Sequence, residues 1–198
     1  MVKVRSPGHC RGLTLVELMV TVSVLAILLA VALPAFGDFM EKARLRGAAD
    51  ALSSQFALAR AQAIRTDRNV TLSIKGEDDT WCSGARQFDA GGTLGLVAAG
   101  GEAACDCSAT PAQCVVAGEQ LVVASAEHGG VLLLDSDGTS FVFDRKTGSL
   151  VDLAPKTLKL RGATDADRFG LDVVTTPMGH ARTCIPAGFP SFGGFRPC

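Results

Sequence analysis

The chain has 198 residues, 47% hydrophobic and 20% charged, with a formal net charge of −1. That length accommodates one modest globular domain and an appendage, and ten Phe with one Trp can supply a core, which excludes disorder as a description of the whole. The near-zero balance excludes a wholesale basic nucleic-acid coat protein and leaves only local basic patches. A mean hydropathy of +0.28 is high for a soluble domain, and the N-terminal segment accounts for it.

Residues 1–12 carry Lys3, Arg5 and Arg11 and no acid. From Leu18 to Phe36 there is no charge, and only Thr21, Ser23 and Pro34 break the apolar run. As a helix rising about 1.5 Å per residue, the run nearly crosses a hydrocarbon core of ~30 Å. The basic stub ahead of it predicts a cytoplasmic N-terminus, with the C-terminal bulk on the far side of the membrane. A secretory signal would follow its apolar run with a small-residue cleavage site, whereas here the run flows into another helical stretch. Glu17 sits at the lip of the run, where a carboxylate buried without a partner is costly. It either snorkels toward headgroups or awaits a positive partner. Pro34 lacks an N–H and is expected to kink or locally open the helix.

The string Arg11-Gly12-Leu13-Thr14-Leu15-Val16-Glu17 resembles the type IV prepilin (class III) signal, in which a short basic leader ends in Gly and Thr-Leu-x-Glu leads into an apolar run. Leu13 stands where the family usually has Phe. The resemblance implies that a prepilin peptidase cuts after Gly12 on the cytoplasmic face and methylates the new amine of Leu13. It implies that Glu17, then the fifth mature residue, neutralises the N-terminal ammonium of a neighbouring subunit, so that two buried charges become tolerable together. It also implies that Pro34 marks where the helix bends or melts on assembly.

Beyond Pro34, Leu45, Ala49, Leu52, Phe56, Ala59 and Ala63 recur at alternating spacings of four and three, one face of an amphipathic helix. Arg46, Asp50, Ser53 and Arg60 fall on the opposite face, which reads as solvated. The high Ala content and the absence of proline from 35 to 66 favour a helix to about Arg65, with Asp67-Arg68-Asn69 as its exit. The resulting division is a leader over 1–12, a membrane and filament-core helix over 13–36, an amphipathic helix over 37–66 and a β-rich head over 67–198.

After Asn69 the pattern changes to short β-prone runs between turn residues. Strands are expected at 70–75, 121–126, 131–134, 139–143, 157–160, 169–175 and 181–185, with Trp81 in an early loop. Their spacing argues for antiparallel sheets. Residues 91–118, rich in Gly, Ala and Cys, read as a long ordered insertion rather than a strand pair, and the tail from Pro186 reads as irregular. Asp135-Ser-Asp-Gly138 lacks the distal Glu of a calcium loop and reads as a hairpin turn. His128, beside a Gly-Gly pair, reads as a surface-turn residue. No hydrolase elbow, phosphate loop or zinc-protease motif occurs, which argues against an enzyme, and the chain calls for no cofactor or metal.

The whole order resembles the GspH/FimT family of minor pseudopilins and minor type IV pilins, most specifically over residues 11–65. The fold so implied is α+β and pilin-like, a long N-terminal helix packed on an antiparallel β-sheet head. The implied location is a single pass through the bacterial inner membrane with the head in the periplasm. The implied partners are prepilin peptidase, other pilins or pseudopilins, an inner-membrane assembly platform and, for members that serve DNA uptake, DNA. Cys10 leaves with the leader, and Cys82, Cys105, Cys107, Cys114, Cys184 and Cys198 remain. Six cysteines facing an oxidising compartment read as disulfides, with fifteen pairings open. Cys105 and Cys107 cannot easily bridge each other, so each is expected to reach a different partner, with Cys114 and Cys82 nearest in sequence. A zinc reading of Cys105, Cys107 and Cys114 lacks a C-x-x-C pair. Cys184 and Cys198 suit a C-terminal loop of the kind common in pilins.

FimT-type members that serve DNA uptake carry a C-terminal Gly-Arg-x-Arg motif, and Gly179-His180-Ala181-Arg182 aligns with it. Arg182 keeps the second arginine and suits bidentate phosphate contact, while His180, mostly neutral at pH 7, replaces the first. Loss of the three leader cations leaves 16 basic against 20 acidic residues, a net −4, a poor balance for a polyanion binder unless Arg168, Arg182 and Arg196 cluster. Otherwise Arg182 is an ordinary strand-end surface residue.

Overall fold

The computed structural model describes residues 14–88, 104–136, 139–166 and 168–198. Gly12, Leu13 and most of the expected insertion, residues 89–103, lie outside the described residues. The chain forms two compact units, Met1–Phe39 and Met40–Cys198. Helix α1, Leu15–Thr66, contributes to both.

In the first unit Thr14 caps the helix: its Oγ1 accepts the N–H of Glu17 at 3.2 Å. The hydroxyls of Thr21 and Ser23 donate to the carbonyls of Leu18 and Met19, both at 2.8 Å. The two polar groups of the apolar run are thus satisfied within the helix itself. Helical geometry continues through position 34, and the turns on either side carry the element past one lost N–H bond. Among the described residues no helix is long and apolar enough to cross a membrane. The charge-free run of the sequence passes through positions 31 and 33–35, whose side chains are outside the description.

In the second unit, here the head, Leu45, Ala48, Ala49, Leu52, Phe56, Ala59 and Ala63 of α1 are all 0% exposed. The four-and-three spacing therefore gives a helix face that is buried along its length. At the helix end Asp67 takes φ 52°, and β1 (Asn69–Lys75) runs back antiparallel to β2 (Cys82–Phe88), with Leu72 opposite Ala85. The remaining strands are β3 (Val115–Val116), β4 (Glu119–Gln120), β5 (Val122–Ala124), β6 (Val131–Leu134), β7 (Ser140–Phe143), β8 (Lys156–Gly162), β9 (Gly170–Thr175) and β10 (Ala181–Cys184). One four-stranded sheet has the order β5-β2-β1-β7 and the other β10-β9-β8-β6, while β3 and β4 form a small hairpin. Every strand ladder is antiparallel. The fold is α+β: one helix packed on antiparallel sheets.

Alternation along β1 places Val70, Leu72 and Ile74 in the core with Phe56, Phe141 and Phe143. Thr71 and Ser73 belong to the opposite face, yet they too are buried. The segment 104–116 covers that side, and the N–H of Cys105 donates to Ser73 Oγ at 3.2 Å. The two sheets join where Asp78 bridges Leu133 and where Trp81 Nε1 donates to the Val131 carbonyl at 3.0 Å.

Several expectations need correction. Strand β2 lies outside the expected set, because Cys82, Gly84 and Arg86 carry no apolar alternation; Cys82 forms a cystine and Gly84 has two packed on it. The end of the expected insertion supplies one strand, β3, which pairs with β4 just beyond its bounds. The expected strand 121–126 stops at Ala124 and continues as a 3-10 turn, Ser125–His128. Trp81 lies between strands as expected but is a core residue, 1% exposed. The polar face of α1 is not simply solvated, because Ser53 Oγ lies 3.1 Å from Thr183 Oγ1 and Arg60 is engaged by two turns of the head.

Candidate functional site

Three places carry the residues singled out in the sequence: the helix start, the cystine cluster and the β9–β10 turn. At the helix start Glu17 is exposed, two residues into α1 and held by the Thr14 cap. Thr14-Leu15-Val16-Glu17 has the Ser/Thr-x-x-Glu form of a capping box, and a carboxylate in the first turn is also favoured by the helix dipole. The helix start therefore accommodates the Glu17 carboxylate by itself.

The six head cysteines form Cys82–Cys107, Cys105–Cys114 and Cys184–Cys198. Cys105 and Cys107 reach different partners because they sit on one stretch of chain between β2 and the 3-10 turn at Pro111–Gln113. Both of their cystines rest on Gly84, where an added Cβ would lie 2.6 Å from the Sγ atoms of Cys105 and Cys114. Only a residue without a side chain lets two buried disulfides pack on the strand there. The third disulfide closes the tail, whose Phe189, Phe192 and Phe195 pack against the core. Arg46 of α1 stacks over Phe195 at 5.5 Å, and Lys42 over Phe169 at 4.5 Å. Among the described residues no group of three or more His, Cys, Asp or Glu side chains is placed to hold a metal ion.

The β9–β10 turn, Thr176-Pro177-Met178-Gly179, closes with Gly179 N–H donating to the Thr176 carbonyl at 2.9 Å. Gly179 adopts φ 74°, and a Cβ there would collide with the Gly148 carbonyl. Its place in the motif is therefore structural. Arg60 Nε donates to the carbonyls of Gly148 (3.1 Å) and Met178 (3.2 Å), tying both turns to α1. The facing β7–β8 turn is built by Asp144, whose Oδ1 accepts the N–H groups of Thr147 (2.9 Å) and Lys146 (3.0 Å) and the Thr147 hydroxyl (3.0 Å). These bonds, that from the Thr147 N–H first, hold the Asp144 carboxyl below its ordinary range.

His180 and Arg182 are exposed, and Arg182 lies on the edge strand β10 opposite Val174 of β9. A charged side chain on a free edge also discourages unwanted strand pairing. The structure does not gather the three arginines. Arg168 precedes β9 and lies about 20 Å along it from Arg182 by the strand rise. Arg196 belongs to the tail segment paired beside Ile185. His128 is half-buried rather than a surface-turn residue: its ring lies parallel to that of Trp81, centroids 6.3 Å apart. The sequence places Arg60 on a solvated face and gives Gly148 no role; the signal available was a Thr-Gly pair after Asp144 and one cation near the end of the buried helix face.

Residues 48–179 match the family described as Type II transport protein GspH. The chain belongs to the GspH family. Residues 8–33 match the prokaryotic N-terminal methylation motif, which spans Gly12, Leu13 and Glu17. Both matches bear out the resemblance to minor pseudopilins and pilins. Two crystal forms of the type IV minor pilin FimU of Pseudomonas aeruginosa (strain PAO1) are similar to this GspH-family chain in structure. One has 17% identity and a TM-score of 0.45, covering 73% of this chain and 90% of FimU. The other has 16% identity and a TM-score of 0.44, covering 70% and 91%. No curated protein sequence matches the chain significantly. The family is one of structural filament subunits, and its prepilin motif implies processing by prepilin peptidase and assembly with other pilins.

Proposed function

We propose that this GspH-family protein is a minor pseudopilin, a structural subunit of a type II secretion pseudopilus. On this reading the leader is cut after Gly12, the chain is anchored once in the inner membrane with its head in the periplasm, and assembly buries the N-terminal helix among its neighbours. The platform in the inner membrane lifts it from the bilayer. The observation that carries the reading is the order of the N-terminal string: basic leader, Gly12, Leu13, Glu17 and then a charge-free run, joined to a head of the GspH family. Glu17 is proposed to receive the Leu13 ammonium of a neighbour, and Pro34 to mark the point of helix adjustment. The test is a clean deletion in the native host, complemented by the wild type or by Glu17→Ala. Loss of exoprotein secretion with normal twitching and transformation supports the pseudopilin. Glu17→Ala is expected to be cleaved normally and to fail at incorporation; normal incorporation refutes the charge pair.

A second reading is a type IV minor pilin acting in pilus assembly, twitching or DNA uptake. It is favoured by the exposure of His180 and Arg182 beside a turn that Gly179 and Arg60 hold in place. It predicts lost transformation or twitching with intact secretion. It also predicts salt-sensitive duplex binding that Arg182→Ala weakens; no binding at low salt sinks the DNA role.

A further inference from the structure

Four of the head cysteines pair in an interleaved order. Cys82–Cys107 spans 25 residues and Cys105–Cys114 spans 9, and each loop contains one end of the other. Cys184–Cys198 closes its 14-residue loop with no cysteine between them. Of the three ways to pair the first four, the one that joins Cys105 to Cys107 needs a bridge across the single residue Asp106, which disulfide geometry disfavours. That leaves the observed pairing and one rival, Cys82–Cys105 with Cys107–Cys114, in which the loops follow one another along the chain. Each rival loop is two residues shorter than its native counterpart, so loop closure gives the native pairing no advantage. Before the core closes, Cys105 and Cys107 therefore compete for Cys82 on nearly equal terms.

The folded head does discriminate. The Cα of Cys107 lies 6.0 Å from that of Cys82, and the Cα of Cys105 lies 5.3 Å from that of Cys114. Cys105 is held over β1 by its N–H bond to Ser73 Oγ at 3.2 Å. Asp106 Oδ1 accepts the N–H groups of Ser108 and Ala109, both at 3.0 Å, which turns the chain directly after Cys107. Gly84 of β2 lies beneath, with the Sγ atoms of Cys105 and Cys114 and the Cβ of Cys107 crowding the place of a side chain. The native pairing is thus selected by β1, β2 and this turn together. All four cysteines are at most 6% exposed. A chain oxidised in the rival order closes this core only by exchanging its disulfides, whereas a natively paired one buries both cystines away from attacking thiolates.

We propose that a thiol–disulfide isomerase acts on this head before its core closes and converts Cys82–Cys105 and Cys107–Cys114 into the native set. The isomerase thiolate attacks the Cys105 sulfur of Cys82–Cys105, forming a mixed disulfide and freeing the Cys82 thiolate. Cys82 attacks the Cys107 sulfur and displaces Cys114. Cys114 then attacks the Cys105 sulfur and releases the isomerase thiolate. Two disulfides are present before and after, with no net oxidation. The proposal rests on the reading above that places the head in the periplasm, where thiols are oxidised. The test expresses the full-length chain in two bacterial hosts that share a periplasmic thiol oxidase and differ only in a periplasmic disulfide isomerase, and maps the linked peptides without reduction. Without the isomerase, about half of the chain is expected to carry Cys82–Cys105, since the competing loops are almost equal in length, while Cys184–Cys198 forms in both hosts. In the double variant Cys105→Ser with Cys114→Ser, Cys82 has lost its rival partner, and Cys82–Cys107 should form equally in both hosts. Native pairing throughout without the isomerase, an equal loss of Cys184–Cys198, or a double variant that still depends on the isomerase overturns the proposal and leaves the periplasmic reading standing. Free thiols at all the head cysteines in both hosts overturn the periplasmic reading as well.

Discussion

In the first unit Leu15, Val16 and Ile27 are 72%, 67% and 67% exposed, whereas Leu52, Phe56 and Leu72 of the head are 0% exposed. The two regions are built from similar side chains. The head meets its helix stripe with strands whose alternating residues supply a second apolar surface, so it closes its own core. Among its described residues the first unit is a helix with apolar side chains all round and no strand, and such a helix favours an apolar surrounding. Apolar content therefore predicts burial without saying what does the burying: the chain itself in one region and, on the function proposed above, lipid or neighbouring helices in the other.

Four substitutions break or sharpen that contrast, and thermal unfolding of the processed chain in detergent is the measurement for each. Phe56→Ala removes a ring packed edge-on to Phe141 with centroids 4.7 Å apart and is expected to cost about 3–5 kcal/mol. Gly84→Val places methyls where two cystines lie, and it should cost about 2–5 kcal/mol, as for loss of a native disulfide; thiol titration should then find free cysteines. Arg60→Ala frees the two turns from α1 at an expected cost of about 2 kcal/mol, since its hydrogen bonds come from a charged donor. Leu25→Ala, in the first unit, should move the head's unfolding by less than about 0.5 kcal/mol while impairing incorporation. A large shift in the head from Leu25→Ala would break the comparison.

A smaller effect is expected from pH. Asp144 has its folded carboxyl held below the unfolded value of about 3.9. Its contribution is complete above that value and is lost as pH falls through the lower folded one. Asp144→Ala should accordingly destabilise by about 1 kcal/mol at pH 7, in line with a lost capping group. The gap between variant and wild type should close on acidification below about pH 4. A gap unchanged down to the acid limit would place the effect in packing rather than in the carboxylate.

The amphipathic half of α1 was legible because its signals are local: the spacing from Leu45 to Ala63 needs only the pitch of a helix. Strands such as β6 and β9 were legible for the same reason, as short apolar runs between turn residues. β2 was not, since Gly84 is in that strand to receive Cys105 and Cys114 from far along the chain. Trp81, Arg60 and Gly179 likewise take their roles from partners distant in sequence. At the candidate turn the sequence showed which residues are present. It did not show that Gly179 packs on Gly148, or that Arg168 and Arg182 lie beside opposite ends of β9.

By itself the sequence determined the processing string at Gly12 and Glu17, the apolar run, the amphipathic stripe and the even set of head cysteines, because each depends on composition or on a period of a few residues. Tertiary structure alone decided which cysteines pair and that the 104–116 segment covers the outer face of the first sheet. Those outcomes depend on which distant segments share a surface, and in a chain of antiparallel sheets that is set by strand order and register rather than by any neighbouring residue.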